Sequence, residues 1–316
     1  MLIAIPDDYQ KVIQSLDCFA LLKEHQVQLF HDYVSDETEL AKRFQNADAL
    51  VLTRTRTAIT ESLLAQLPQL KVISQTGKNA GHIDEAACKK YGVALVEGKG
   101  NPIATAELTW ALIMNGYRQI PQAIDGMKQG KWQTNMGRRV YGKTIGIWGY
   151  GKIGKRIAQY ARAFEAKVMV WGSEASRNLA EADGYTAAPS KDYFFQNSDI
   201  LTLHLRLKTA TKGIVKLEDL SLMKKEALFV NTARAALIEK GALQAALEGG
   251  RPGFAAIDVF DREPIFDISD PLLRMSNVIC TPHLGYVERA GYENYFAQAF
   301  QNVLDYFAQL GGNTTS

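Results

Sequence analysis

Gly149, Gly151 and Gly154 form a G-x-G-x-x-G within TIGIWGYGKIG (144–154). The apolar run from Ile145 to Trp148 before it reads as a short buried strand, and Ile153, Ile157, Ala161 and Phe164 after it recur at helical spacing. A glycine triplet alone is often only a turn. At a strand-to-helix junction it is the fingerprint of a dinucleotide site. The first glycine permits the tight turn, the second lets backbone approach a pyrophosphate, and the third lets helix pack on strand. The helix then offers its free amides and positive dipole end to the phosphates. Lys152 and Ile153, inside the turn, are expected to share in the contact.

Three further segments stand at the ends of predicted strands: NTARAALIE (231–239), DVFDREP (258–264) and TPHLGY (281–286). They supply a fixed cation, Arg234, a carboxylate, Glu263, and an imidazole, His283. A guanidinium grips a carboxylate through two parallel hydrogen bonds. An imidazolium can protonate a carbonyl oxygen as hydride reaches its carbon. A carboxylate beside the imidazole holds its tautomer and favours its charged form. The set suits reduction of a 2-oxo acid, or the reverse oxidation. Taken singly, each residue is more often a solvated or capping side chain. His25, His31 and His82 have no acidic partner at a telling position and read as structural or surface residues.

Strands and helices must bring these groups together. In the first hundred residues, strand-like runs at 2–6, 27–31, 49–53, 71–75 and 93–96 alternate with helical patterns at 16–24, 37–44, 61–66 and 83–90. Such alternation implies a parallel α/β sheet. A long helix is expected at 104–117, followed by a polar stretch through Arg139. A second series, 145–148, 167–171, 200–205, 227–231, 255–259 and 278–280, predicts six parallel strands of a doubly wound fold. The amphipathic segment 291–310 reads as a last helix returning to the first domain, and the polar end 311–316 is expected to fray.

The 316 residues suggest two domains, and a net charge of +2 gives no reason to expect nucleic acid or an anionic membrane as partner. No apolar run approaches the roughly 20 residues that span a bilayer. Met1 leads almost directly into a strand, without the basic region and apolar core of a signal peptide. Cys18, Cys88 and Cys280 show no metal-ligand spacing and read as small hydrophobes in a reducing compartment. No metal is expected, and the expected location is cytoplasmic.

Taken together, these segments closely resemble the D-isomer-specific 2-hydroxyacid dehydrogenases. The likeness runs from GHIDEAACKKYGV (81–93) through NPIATAELTWALIM (101–114) and GKWQTNMGRRVYGKTIGIWGYGKIG (130–154) to TPHLGY. It implies two Rossmann-like or flavodoxin-like parallel-sheet domains with a cleft between them. Residues 1–100 plus 285–316 would form the substrate domain and 101–284 the NAD(P)-binding domain. By resemblance, Arg234 orients the substrate, His283 is the acid/base and Glu263 pairs with it. Asp258 would hydrogen-bond the nicotinamide carboxamide, with Thr232 and Ala233 lining the same pocket. GKNAGHID (77–84) matches the loop whose amides receive the substrate carboxylate, with Lys78 and Asn79 as contacts. Arg54 lies where some members hold an anionic group; a solvated arginine is an equal reading. A homodimer is also implied, with the 104–132 segment at its interface and Leu108, Trp110, Leu112 and Ile113 as apolar candidates. Plain intradomain core is their other reading.

Three positions depart from the family pattern. Position 172, where an acid would bind the adenosine ribose and repel a 2′-phosphate, holds Gly172, followed by Ser173, Glu174 and, further on, Arg177. Losing the acid admits NADP, while Glu174 works against it, so NAD is the expectation and NADP the alternative. The usual H-x-P-L-T appears as His204-Leu-Arg206-Leu-Lys208, which places basic side chains near the adenine end. Ala235 replaces the usual glycine after the arginine. The resulting expectation is an NAD(P)-dependent oxidoreductase interconverting a small D-2-hydroxy acid and its 2-oxo acid. Two alternatives stand beside it. One is oxidation of 3-phosphoglycerate, with Arg54 and Lys78 facing the phosphate. The other is a dinucleotide-sensing, corepressor-like binding protein.

Overall fold

The computed structural model describes residues 1–312 and divides into two compact units. One comprises Met1–Asn101 and the chain from Glu288 on; the other is Pro102–Val287. Most of the polar end expected to fray, 311–316, lies outside the described residues.

The first unit carries strands β1 (Leu2–Ile5), β2 (Gln26–Leu29), β3 (Ala49–Leu52), β4 (Val72–Gln75) and β5 (Ala94–Glu97). All pair in parallel in the order β2-β1-β3-β4-β5, the flavodoxin-like order that reverses direction between β1 and β3. Four-residue strands suffice because β1, β3 and β4 are buried along nearly their whole length. Leu50, Leu52 and Ile73 pack with Leu40, Phe44 and Leu63 from the helices on one face. Those helices are capped as local chemistry dictates: Asp36, Thr60 and Asp84 each accept from an amide three residues on. The final helix, Arg289–Gly312, lies against β4 and the Asp17–Leu22 segment. Its Tyr292, Tyr295, Phe296, Ala299, Phe300 and Val303 are buried at the three-and-four spacing of a single helical stripe.

The segment expected as an α-helix over 16–24 forms instead a 3₁₀ piece, Asp17–Leu22, preceded by another at Ile13–Ser15. The Glu293 carboxylate of the final helix accepts from the Asp17 and Cys18 amides at 2.7 and 3.0 Å. A tertiary partner therefore sets where this segment starts, and short i→i+3 bonds follow from there.

The second unit adds β6 (Thr144–Trp148), β7 (Lys167–Trp171), β8 (Thr186–Ala187), β9 (Ile200–Leu203), β10 (Leu228–Asn231), β11 (Phe254–Ile257) and β12 (Val278–Cys280). These form a parallel sheet in the order β12-β11-β10-β9-β6-β7-β8. It has seven strands rather than the six expected, because two-residue β8 is too short to show a pattern. The helix Ile120–Lys128, inside the stretch read as merely polar, was also not anticipated. Both sheet faces are covered. Ile145, Ile147, Val168, Val170 and Val230 pack one way, and Trp148, Leu201, Leu203 and Phe229 the other. That is why these strands read as continuous apolar runs.

Of the apolar residues considered for a dimer interface, Leu112 and Ile113 are consumed by their own unit's core, and Leu108 and Trp110 pack against it. Trp110 meets the Tyr160 and Phe164 rings at 6.0 and 4.9 Å. Leu112 and Ile113 are therefore core, whereas Leu108 and Trp110 remain half-buried. No helix among the described residues is long and apolar enough to cross a membrane, and none of their His, Cys, Asp and Glu side chains cluster as a metal site.

Phe194 is fully buried and meets Trp148 and Phe195 edge-on at 6.2 and 5.7 Å. Phe194→Ala is expected to cost about 3–5 kcal/mol, read as a lowered urea midpoint at unchanged slope.

Candidate active site

The second sheet reverses direction between β6 and β9: the chain runs outward through β7 and β8, then returns to the other side of β6. Ligands of such sheets bind outside the carboxyl ends of the strands at that point. The glycine turn follows β6 directly and His204 follows β9. Gly149 has φ +103°, and a Cβ there would lie 2.8 Å from the His204 carbonyl oxygen. The two loops thus meet at the switch point only because Gly149 has no side chain. A Cβ on Gly154 would fall 2.1 Å from the Gly149 carbonyl oxygen, so helix and turn also need glycine there.

Gly151 differs: a Cβ there meets nothing within 4 Å. Protein packing does not explain that glycine, whereas a pyrophosphate lying on the turn would. Gly151 also caps the helix Lys152–Ala163, whose first-turn amides open at this place. The cradle fits a dinucleotide. Lys152 is exposed in the first turn, and Ile153 packs against the core beneath. The His204 imidazole lies 3.1 Å from the Thr202 hydroxyl, and desolvation pushes its pKa down to about 3, so it is neutral at physiological pH. Arg206 is exposed on the same loop. Gly172 and Ser173 follow β7, and the Ser173 hydroxyl caps the helix Glu174–Ala182.

Arg234, Glu263 and His283 all follow the carboxyl ends of three adjacent strands, β10, β11 and β12. His283 Nδ1 and Glu263 Oε2 are 2.5 Å apart, so the imidazole and carboxylate are paired. Glu263 is itself held, its other oxygen accepting from the Phe260 amide at 2.9 Å. With Nδ1 committed to the carboxylate, Nε2 is the ring nitrogen left for other chemistry. The Tyr286 ring stands edge-on to the imidazole, 5.5 Å between centroids. His283 has φ +52°, an uncommon conformation for a residue with a side chain, and the bonds around it hold it there.

Those bonds come from Asp258. Its carboxylate is fully buried and accepts from the Thr281 hydroxyl at 2.6 Å, the Leu284 amide at 2.7 Å and the Gly285 amide at 2.9 Å. Burial pushes its pKa above the ordinary carboxylate range, against the opposing pull of those donors and of the facing His283. Three of about four acceptor positions on the carboxylate are thus taken.

Thr232 is buried and its hydroxyl lies 2.7 Å from that of Thr109; Ala233 is half-buried beside it. Asn231 spans the Thr232–Arg234 turn: its side chain accepts from the Ala233 amide at 3.0 Å and donates to the Arg234 carbonyl at 2.9 Å. Sequence reasoning missed Asn231 and Thr281 as positioning residues. An asparagine ending a fully apolar strand was the available signal for the first.

The first unit carries its own loops at the carboxyl ends of β1, β3 and β4. Lys78 is exposed and pairs with Glu97 at 2.7 Å. The Asn79 amide donates to Glu97 at 2.6 Å. The Asn79 side chain binds the Ile83 carbonyl, Glu85 and the Gly81 and Ile83 amides. Its side chain therefore builds the loop, which sequence spacing alone could not reveal. The Gly77 and Lys78 amides make no hydrogen bond among the described residues. Arg54 has φ +55°, lies 5.7 Å from the Tyr295 ring centre and fills the space that a Cβ on Gly77 would need. At the reversal between β1 and β3, the buried Asp7 accepts from the Tyr9 and Thr57 hydroxyls at 2.8 and 2.6 Å, and Arg56 lies over the Tyr9 ring. Nothing in the spacing of Asp7, Tyr9 and Arg56 announced that cluster.

Residues 110–285 match the family model described as "D-isomer specific 2-hydroxyacid dehydrogenase, NAD binding domain". The chain belongs to the D-isomer-specific 2-hydroxyacid dehydrogenase family. Among curated relatives, it is 35% identical over 289 residues to the D-3-phosphoglycerate dehydrogenase of Bacillus subtilis, covering 90% of this chain and 54% of that one. It is 32% identical to the glyoxylate reductase of Aeropyrum pernix, covering 92% of this chain and 88% of that one. The crystal structure of a phosphoglycerate oxidoreductase from Vibrio cholerae superposes with a TM-score of 0.95 at 51% identity, covering 98% and 99% of the two chains. The chain spans about half the length of the curated D-3-phosphoglycerate dehydrogenases it matches. The family's NAD-binding domain thus coincides with the sheet that carries the glycine turn and the His283–Glu263 pair.

Asp258→Asn replaces an acceptor oxygen with an NH₂ group facing donors. Stability is expected to fall by about 1–3 kcal/mol, and the Leu284 and Gly285 amides should exchange hydrogen faster.

Proposed function

We propose that the protein is a nicotinamide-dependent oxidoreductase that interconverts a D-2-hydroxy acid and its 2-oxo acid. The observation carrying this reading is the 2.5 Å His283–Glu263 pair, seated on the same sheet as a glycine turn shaped for a dinucleotide. Gly149, Gly151 and Gly154 would hold the pyrophosphate, with Lys152 and Ile153 in the same turn. Thr232, Ala233 and Asp258 would face the nicotinamide end. Gly172, Ser173, His204 and Arg206 would face the adenosine end. When bound, the cofactor supplies or accepts the hydride at substrate C2.

The chain's own residues do the rest. In the reduction direction, Arg234 grips the substrate carboxylate with its planar fork and fixes which carbon is presented. His283 donates the Nε2 proton to the C2 oxygen, so alkoxide charge does not build up. Glu263, hydrogen-bonded at Nδ1, keeps the ring in the orientation and tautomer that leave Nε2 facing the substrate. In oxidation, the Nε2 lone pair takes the hydroxyl proton instead. Asp258 holds the 281–285 turn under the imidazole. Gly77 and Lys78, whose amides have no acceptor among the described residues, are proposed as donors to the substrate carboxylate, with Lys78 and Asn79 shaping that loop.

A second reading, a substrate with a phosphate or other anionic tail, is favoured by Arg54. Its guanidinium is packed at the carboxyl ends of β3 and β4 rather than dispersed in solvent. The likeness to D-3-phosphoglycerate dehydrogenases supports the same reading.

Oxidation of NADH and NADPH, followed by absorbance against 2-oxo acids with and without a phosphate tail, tests both readings. Turnover with some member of the panel is expected; protein that binds a dinucleotide but turns over none would favour a sensing role. His283→Ala should lower kcat by about 10²–10⁴ while calorimetric dinucleotide affinity stays within about twofold. Arg234→Lys should raise KM for the oxo acid and lower kcat, because an ammonium cannot make a two-point planar contact.

A further inference from the structure

The end of β7 lacks the carboxylate by which a dinucleotide site of this kind grips the adenosine ribose, and the backbone there would resist one. Gly172 has φ +154°, a conformation that residues with side chains rarely adopt. An aspartate at that position would require the strand end to be rebuilt. Beside it stands a cation without an anion. The Arg177 guanidinium lies over the Trp171 ring, 4.9 Å from its centre, and its buried Nε has no hydrogen-bond partner. No salt bridge or side-chain hydrogen bond joins Arg177 to any other described residue. A half-buried arginine held on an aromatic face, with its Nε out of water and donors unspent, is arranged to receive an anion.

Its surroundings agree. Ser173 donates to the Ser176 hydroxyl at 3.1 Å, which leaves the Ser176 proton available next to Arg177 on the same helix. Across β6, the loop after β9 adds Arg206 and Lys208, both exposed and without a carboxylate partner among the described residues. Glu174 is the one acid in the first turn of the Glu174–Ala182 helix, and it is exposed. Glu181, also exposed, is the helix's second acid, so Arg177, Arg206 and Lys208 outnumber the acids there by one.

We propose that Arg177, with the Ser176 hydroxyl, binds the 2′-phosphate of the adenosine ribose, and that the protein prefers NADP(H) to NAD(H). The proposal rests on the oxidoreductase reading above and chooses between its two cofactors. Arg177 recognises the phosphate and is not a catalytic residue.

Isothermal titration of the full chain with NADPH, NADH, 2′,5′-ADP and 5′-ADP tests it without turnover. The 2′-phosphorylated member of each pair is expected to bind about tenfold or more tightly. Arg177→Ala should erase most of that ratio, and Arg177→Lys should keep part of it. Circular dichroism and the melting temperature show that each variant is folded. A merely structural Arg177 would weaken both members of a pair alike, and that result overturns the proposal. So does tighter binding of NADH by the wild type, which leaves the oxidoreductase reading standing. Binding of neither dinucleotide overturns both.

Discussion

The fully buried Asp258 carboxylate ties the end of β11 to the turn after β12 through three donors, one hydroxyl and two amides. A carboxylate taken wholly out of water is costly unless such donors replace the lost solvent. The turn is therefore bound to close around Asp258 in one way, and the imidazole of His283 rides on that turn. The positive φ of His283 persists because Leu284 and Gly285, the residues just after it, are the ones held. Glu263 then needs only to reach Nδ1, with its second oxygen fixed by the Phe260 amide. The acid/base pair is the outermost layer of a support that begins in the sheet.

The same economy governs the glycine turn, farther along the same carboxyl edge. A parallel sheet sends every strand out at one end, so residues far apart in sequence arrive together once the strands pair. Two carbonyls occupy the space of would-be side chains at Gly149 and Gly154, which makes the turn tight. Gly151 leaves space that the protein itself does not fill. The distinction separates glycines required by packing from one required by a ligand. It also explains why the fingerprint carries meaning only at a strand-to-helix turn.

Charge is distributed by need. Asp183 is paired with Lys155, Lys224 with Asp199 and Lys191 with Asp219. Asp7 in the first unit and Asp258 in the second are buried at strand ends, each with a pKa raised mainly by desolvation and each surrounded by hydroxyl or amide donors. Both serve as fixed acceptors at the carboxyl edge of a sheet, where loops need anchors.

Much of this was legible in the chain. The central strands of both units announce themselves as apolar runs, because strands buried on both faces leave no room for polar alternation, while edge strand β2 alternates instead. The glycine turn, Arg234, Glu263 and His283 were visible from residue type and their place at strand ends. Other features were not. The Asn79 side chain binds a loop together by contacts up to six residues away, and Asp17 owes its local geometry to Glu293, 276 residues on. The pairing of Asp258 with Thr281, Leu284 and Gly285 crosses from β11 to β12, and Arg177 meets Trp171 only when helix packs on strand. Sequence by itself determined which residues must be buried and which turns demand glycine, since those follow from hydrophobicity and backbone sterics within a few residues. Tertiary structure alone decided which donor meets which acceptor, because hydrogen bonds and ion pairs act over about 3 Å and only the packed sheet brings such distant residues that close.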